Sequence, residues 1–321
     1  RQPHRHARRG DGMNGSEFVP LSLVPMLTGI FVAVACALPG NFLVLRRQAL
    51  IGDAISHVVL PGIVVAFLLT GVVSTWPMRL GAAGAALVAV LAIEGVRRLG
   101  KIESGAAMGV VFTAMFAGGV LLLEQSDTSN VHLDVEHALY GNLESLIWLD
   151  ATGWGSLFDP EALATLPVEL PRMAVTLLFV ALFTAIFWRS LKISTFDEGF
   201  ARTIGMKTGP LGLGLVIVAA IAAVAAFDAV GSIIVIAMFI CPPAAARMMT
   251  NRLEYQIAWS VLFAALAAVL GYVLAGYGPL WIGMRDSVSA AGMIATVSGV
   301  ILGFAALMGP HRQRGAAAPA A

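Results

Sequence analysis

Long apolar runs alternate with short polar joints along this chain. The runs fall at about 22–45, 53–72, 79–98, 105–124, 171–189, 209–227, 229–248, 256–275 and 288–308. Each approaches the roughly 20 residues that an α-helix needs to cross a bilayer core. Backbone N–H and C=O groups in lipid must be satisfied inside the chain, so such runs are read as helices. The pattern predicts an all-α polytopic membrane protein with about eight or nine transmembrane helices. A single membrane domain is expected over 21–309, followed by a cytoplasmic tail over 310–321. The stretch at about 125–170 breaks the rhythm and is expected to lie outside the membrane. Residues 1–20 break it too. Gly15-Ser16-Glu17-Phe18 resembles a cloning-site scar, so this segment is expected to be a tag or a disordered tail.

Composition agrees with the pattern. Apolar residues make up 58% of the chain and charged residues 12%, against about 25% charged in soluble domains. The 34 glycines and the alanine-rich runs suit helices that approach closely in lipid. No basic stripe with interleaved aromatics is present, which excludes a nucleic-acid partner. Cys36 and Cys241 both lie in apolar runs and read as small buried hydrophobes, not as a disulfide pair. No G-x-x-x-x-G-K-[ST], H-E-x-x-H or G-x-S-x-G motif occurs, so hydrolysis of a nucleotide, peptide or ester by those devices has no support.

Positive residues orient the runs. Arg46 and Arg47, then Arg97, Arg98 and Lys101, then Arg189, Lys192, Arg202 and Lys207, then Arg247 and Arg252, and finally Arg312 and Arg314 mark alternate joints. These joints are placed in the cytoplasm. The long joint at 125–170 carries acidic residues and no Lys or Arg, which suits the outer side. Nine spans then put the C-terminus inside and the N-terminus outside, although the basic residues of 1–12 argue the other way.

Pro39-Gly40, Pro61-Gly62 and Pro242-Pro243 stand inside apolar runs. Proline removes a helical hydrogen bond, and broken backbone at membrane depth is tolerated where it is buried or lines a cavity. Pro39, Pro61 and Pro242 are therefore expected to mark helix breaks along a translocation path, with ordinary kinking as the plainer alternative.

Apart from Glu124 and arginines near the run ends, the ionisable residues of the runs are few: Asp53, His57 and Glu94, with Asp228 between two runs. Glu94 lies one turn from Arg97 and Arg98 and reads as a structural ion pair. Asp228 reads as a solvated turn residue between two spans. Asp53 and His57 have no cation nearby in sequence, and their four-residue spacing puts both on one helical face. An ionised carboxylate near the bilayer centre costs roughly 2.5–3.5 kcal/mol, so such a pair points to function. Carboxylate plus imidazole is a partial ligand set for Mn²⁺, Fe²⁺ or Zn²⁺, with no thiolate to select a softer ion. Two ligands are half a site. Two facing copies of the chain would supply four.

Two further clusters stand outside the runs. His132, Asp134, Glu136 and His137 could attract a cation at an outer entrance, or form a solvated acidic surface. In the joint at 190–208, Asp197 is placed to cap a short helix and Gly205 to end it. Phe196, Phe200 and Ile204 then form an apolar stripe that suits docking into a partner's groove or lying on the membrane surface.

Several segments together resemble the ABC-3 family of manganese, iron and zinc permeases. Residues 45–71, LRRQALIGDAISHVVLPGIVVAFLLTG, resemble the family's second-helix motif. Residues 196–205, FDEGFARTIG, are similar to its cytoplasmic coupling segment. Residues 230–250 resemble its late helix with Val-Gly and Pro-Ala-Ala elements. LYGN at 139–142 looks like the family's Leu-Phe-Gly-Asn, with Tyr140 replacing Phe. The resemblance spans most of 22–308 and implies a type II importer architecture, related to the vitamin B12 permease. It implies two permease subunits, identical or paralogous, two ATP-binding subunits and an extracytoplasmic metal-binding protein, in the plasma membrane of a bacterium. It also implies that the metal is transported, with no permanently bound cofactor, and that Asp53 and His57 line its path. Phe196, Asp197, Glu198, Phe200, Arg202 and Gly205 would receive the ATPase stroke. The Ser-His and Leu-Pro-Gly wording stands closer to the manganese/iron branch. A proton-coupled secondary metal transporter is the alternative, though the inverted repeat common in that class is not evident.

Overall fold

The computed structural model describes residues 18–71, 75–125, 143–281, 283 and 288–309. The helices are α1 (Val24–Leu45, continuous with a π-helical turn at Val19–Leu23), α2 (Ile51–Thr70), α3 (Thr75–Gly100) and α4 (Ser104–Gln125). After two short 3₁₀ turns, Leu143–Ser145 and Trp154–Phe158, come α5 (Pro160–Ala164), α6 (Glu169–Ile186), α7 (Trp188–Phe196) and α8 (Glu198–Thr203). The series ends with α9 (Thr208–Val230), α10 (Ser232–Met249), α11 (Leu253–Trp281) and α12 (Ala290–Met308). Among the described residues nine helices are long and apolar enough to span a bilayer. They coincide with the nine runs read from the sequence. The segments 1–17 and 310–321, the LYGN element, and His132, Asp134, Glu136 and His137 lie outside the described residues.

α1 is the axis of the bundle. Val32, Ala33, Ala35, Cys36, Ala37, Phe42 and Leu43 along it are fully buried. α6, α9, α10 and α11 pack around it, and α12 closes against α10 and α11. α2 lies beside this group with α3 and α4 on its outer side. Cys36 is buried, and both cysteines are free.

Small residues set the distances. Gly62 of α2 and Gly81 of α3 face each other so closely that a Cβ on either would overlap the other's carbonyl oxygen. Gly119 of α4 meets the Pro61 ring, where an added Cβ would stand 2.6 Å from its Cγ. Gly271 of α11 sits on the backbone of Ile294 in α12. Such contacts bring backbones together where the hydrophobic effect between helices is absent.

The prolines do not break the helices. α1 runs through Pro39, α2 through Pro61, and α10 through Pro242 and Pro243. The expected breaks are corrected to continuous helix. Pro243 cannot bond the Phe239 carbonyl one turn back, and that carbonyl is covered by Gly40 of α1, where a Cβ would come within 2.5 Å. The neighbouring helix fills the gap that the missing hydrogen bond leaves, so the helix need not open.

The described part of the long connection at 125–170 is folded onto the helix ends. Trp148 is fully buried; its backbone N–H bonds the Pro20 carbonyl at 2.8 Å and its indole N–H the Ala162 carbonyl at 3.0 Å. Glu144 accepts from the backbone N–H of Ala290 at the start of α12.

Candidate metal-passage site

Asp53 stands in the first turn of α2, and His57 one turn on. This agrees with the run read at 53–72, which begins at Asp53. At the start of a helix, unpaired N–H groups and the macrodipole favour a negative charge. Part of the cost of holding Asp53 in an apolar setting is offset locally.

The two side chains are brought together as their spacing predicts. His57 Nε2 lies 3.4 Å from Asp53 Oδ1. That exceeds the usual 2.7–3.2 Å of an N–H···O bond, so neither group is fully engaged by the other. The side chains are 42% and 31% exposed on the isolated chain, respectively. A further ligand or an ion can therefore approach them. Among the described residues no group of three or more His, Cys, Asp or Glu is placed to hold a metal ion. The chain supplies two donors, not a closed cage.

Aromatic walls fix the imidazole. Phe112 of α4 stacks on His57 with ring centroids 5.5 Å apart and an interplanar angle of 23°. Phe116, one turn further along α4, meets the same ring edge-on at 5.8 Å and 77°. Behind the pair, Gly52 packs on the fully buried Phe239 of α10; a Cβ on Gly52 would stand 2.7 Å from the Phe239 ring. The Ser56 hydroxyl donates back to the Gly52 carbonyl at 2.9 Å, within its own helix. Phe112, Phe116 and Phe239 are site neighbours that the sequence reading passed over. The i, i+4 spacing of Phe112 and Phe116 was the available signal, but only the packing of α4 on α2 shows what they face.

The other polar residues of the spans behave differently. Glu94 accepts from Arg97 Nη2 at 2.8 Å and also pairs with Arg98, the ion pairing expected from the sequence. Asp228 lies in the last turn of α9, not in the turn itself, which falls at Gly231 with φ 78°.

The segment after α7 folds as its sequence suggests. Asp197 Oδ1 accepts from the Phe200 N–H at 2.8 Å and caps α8. Gly205 takes φ 80° just past its end, a conformation that favours glycine. Of the apolar stripe only Phe200 lies inside α8. Phe196 ends α7, and Ile204 follows α8. All three are about half exposed. Glu198 pairs with Arg202 at 2.6 Å and accepts from Thr208 Oγ1 at 3.2 Å. The Arg202 hydrogen bond is the main cause that holds the Glu198 carboxyl below its ordinary value.

Among the described residues, a bundle of nine span-length helices with α1 as its axis defines a multi-pass membrane protein. The sequence pattern of the ABC 3 transport family matches residues 21–150 and 161–309. The chain belongs to that family and is a membrane permease chain of an ABC transporter. It is 38% identical over 283 residues to the manganese transport system membrane protein MntD of Bacillus subtilis, covering 88% of this chain and 90% of that one. It is 36% identical over 290 residues to the zinc transport system membrane protein TroD of Treponema pallidum, covering 90% of this chain and 74% of that one. Among solved structures it is similar to PsaBC from Streptococcus pneumoniae in complex with Fab. There the TM-score is 0.67 and the identity 27%, over 90% of this chain and 92% of that one.

Proposed function

We propose that this chain is the permease subunit of an ATP-driven importer that carries divalent first-row transition metals into a bacterial cell, with Mn²⁺ favoured and Fe²⁺ or Zn²⁺ possible. The observation that carries the reading is the Asp53–His57 pair. It is a hard-oxygen and imidazole donor set, incompletely self-satisfied, partly open, and walled by Phe112 and Phe116. The relatives named for manganese and zinc transport support the same cargo class.

Half a ligand set suits a transporter. A complete cage holds its ion, whereas transport requires binding weak enough to release. Two permease subunits, identical or paralogous, would bring two Asp and two His together, with water completing the shell. Each donor releases the ion when the subunits move apart. The stacked Phe112 ring limits rotation of the imidazole, so the donor is pre-aimed. An extracytoplasmic binding protein would deliver the ion. Two ATP-binding subunits would supply the motion, docking on Phe196, Asp197, Glu198, Phe200, Arg202 and Gly205. Pro39, Pro61 and Pro242 lie on the helices flanking the route and shape it through packing.

Uptake of Mn²⁺ into vesicles holding the assembled transporter tests this reading. Asp53→Ala and His57→Ala should each bring ATP-dependent uptake to background while the subunits still copurify. Normal uptake in both variants removes the pair from the path. Uptake that persists without any ATP-binding subunit would instead establish a secondary transporter.

A further inference from the structure

The connection between α1 and α2, residues 46–50, is anchored on two flanks. On one flank Arg46 donates from Nε to Thr195 Oγ1 at 3.0 Å and from Nη2 to Ser194 Oγ at 2.8 Å, both in the last turn of α7. Its Nη1 lies against α9, where a Cβ on Gly212 would come within 3.3 Å of it. Burial lowers the Arg46 pKa, and the nearby Glu198 carboxylate of α8 works against that loss. The guanidinium thus sits at the C-terminal ends of both α1 and α7, where the helix dipoles favour a cation. On the other flank Gln48 Nε2 donates to Ser104 Oγ at 3.3 Å, at the first residue of α4.

The connection itself is stiff. Gln48 N–H bonds the Leu43 carbonyl at 2.8 Å, Arg47 N–H that of Val44 at 3.1 Å, and Ile51 N–H that of Gln48 at 3.1 Å. Arg47 holds φ 58°, a left-handed conformation that costs energy outside glycine and persists only where the surroundings impose it. Asp53 follows three residues after the connection. α4, tied to it through Gln48, carries the Phe112 and Phe116 walls of His57.

We propose that Arg46 is a positioning residue: it transmits displacement of the α7–α8 docking segment to the α1–α2 connection and so sets the pose of Asp53 and His57. This rests on the permease reading above. Arg46 touches no metal. Its planar fork meets two neighbouring hydroxyls at once, which a lysine ammonium cannot reproduce with the same geometry. Because the connection is also pinned to α4, a shift at Arg46 reaches both the helix that bears the donors and the helix that walls them.

The test measures Mn²⁺ uptake and ATP hydrolysis in the same vesicles, on the complete complex. Arg46→Lys keeps the charge and the interfacial anchor but loses the fork. The double variant Ser194→Ala/Thr195→Ala keeps Arg46 and removes its two acceptors. Both are expected to copurify with the ATP-binding subunit and to hydrolyse ATP. Metal carried per ATP should fall about tenfold, the scale on which residues along a coupling route act. Unchanged uptake per ATP in the double variant overturns the proposal, because an arginine that only anchors the helix end would not need those hydroxyls. Uptake and hydrolysis falling in parallel also overturns it, since Arg46 would then serve assembly or hydrolysis. If Arg46→Lys fails to assemble, the double variant decides. Failure of the wild-type complex to show any ATP-dependent uptake would remove the permease reading itself, a result separate from either variant's.

Discussion

Asp53–His57 in α2 and Glu94–Arg97–Arg98 in α3 share one sequence grammar: a carboxylate followed within about a turn by a base. Their settings differ. Glu94 receives two guanidinium donors on Oε1, so its charge is countered inside the cluster, although Arg97 Nε is buried without a hydrogen-bond partner. Asp53 and His57 stand 3.4 Å apart, incompletely bonded and partly open, with one imidazole face covered by Phe112. The lesson is that a polar pair in an apolar helix is read by whether its charge is already countered by a fixed neighbour. A carboxylate paired with two guanidinium groups has its counter-charge built in, whereas one 3.4 Å from a partly open imidazole leaves room for an ion.

The comparison can be broken most directly by exchanging losses. Asp53→Ala or His57→Ala should abolish Mn²⁺ uptake with little change in thermal unfolding of the purified complex, while Glu94→Gln should leave uptake per folded complex intact. Loss of uptake in Glu94→Gln would mean that a built-in counter-charge does not separate the two clusters.

Next in size is the packing behind the site. Gly52→Ala pushes a methyl against the buried Phe239 ring, and overpacking of this kind costs about 1–3 kcal/mol. A lowered unfolding midpoint together with reduced uptake is expected, because Asp53 is the adjacent residue. An unchanged midpoint would show that Phe239 yields easily.

A smaller effect is expected from Glu94→Gln on stability. Its arginine partners are partly exposed, and ion pairs of that kind contribute about 1 kcal/mol or less. Thermal unfolding of the variant measures it.

The smallest effect concerns pH. Glu198 has its folded-state pKa lowered below the ordinary 4.5, first by the Arg202 hydrogen bond. A depressed carboxylate adds stability that is fully present above its unfolded value and is lost as pH falls through the folded one. The difference in unfolding midpoint between wild type and Glu198→Gln should therefore hold steady above pH 4.5 and shrink only below it. Shrinkage already at neutral pH would contradict the pairing.

Much of the fold was legible because a bilayer leaves few choices: nine apolar runs of the required length became nine helices, with ends displaced by a few residues. The run placed at 53–72 is Ile51–Thr70, and the one at 79–98 is Thr75–Gly100. The Asp197 cap and the turn at Gly205 were legible because they depend on local chemistry. The prolines misled for the converse reason. At Pro243 the helix stays continuous with Gly40 of another helix packed over the Phe239 carbonyl, a contact that no local rule reports. The aromatic walls of His57 were hidden in the same way, since they depend on which face of α4 meets α2. The Asp53–His57 spacing was plain, while its open state needed coordinates.

The meeting of Gly62 and Gly81 bears on mechanics. With no side chain between them, α2 and α3 touch backbone to backbone. The seam continues one turn on at Ala66 of α2 and Ala85 of α3, so sliding by a turn would set a methyl group against a main-chain oxygen. The two helices are therefore a keyed joint that is free to tilt and barred from sliding, and any stroke that carries Asp53 and His57 must carry α3 with it.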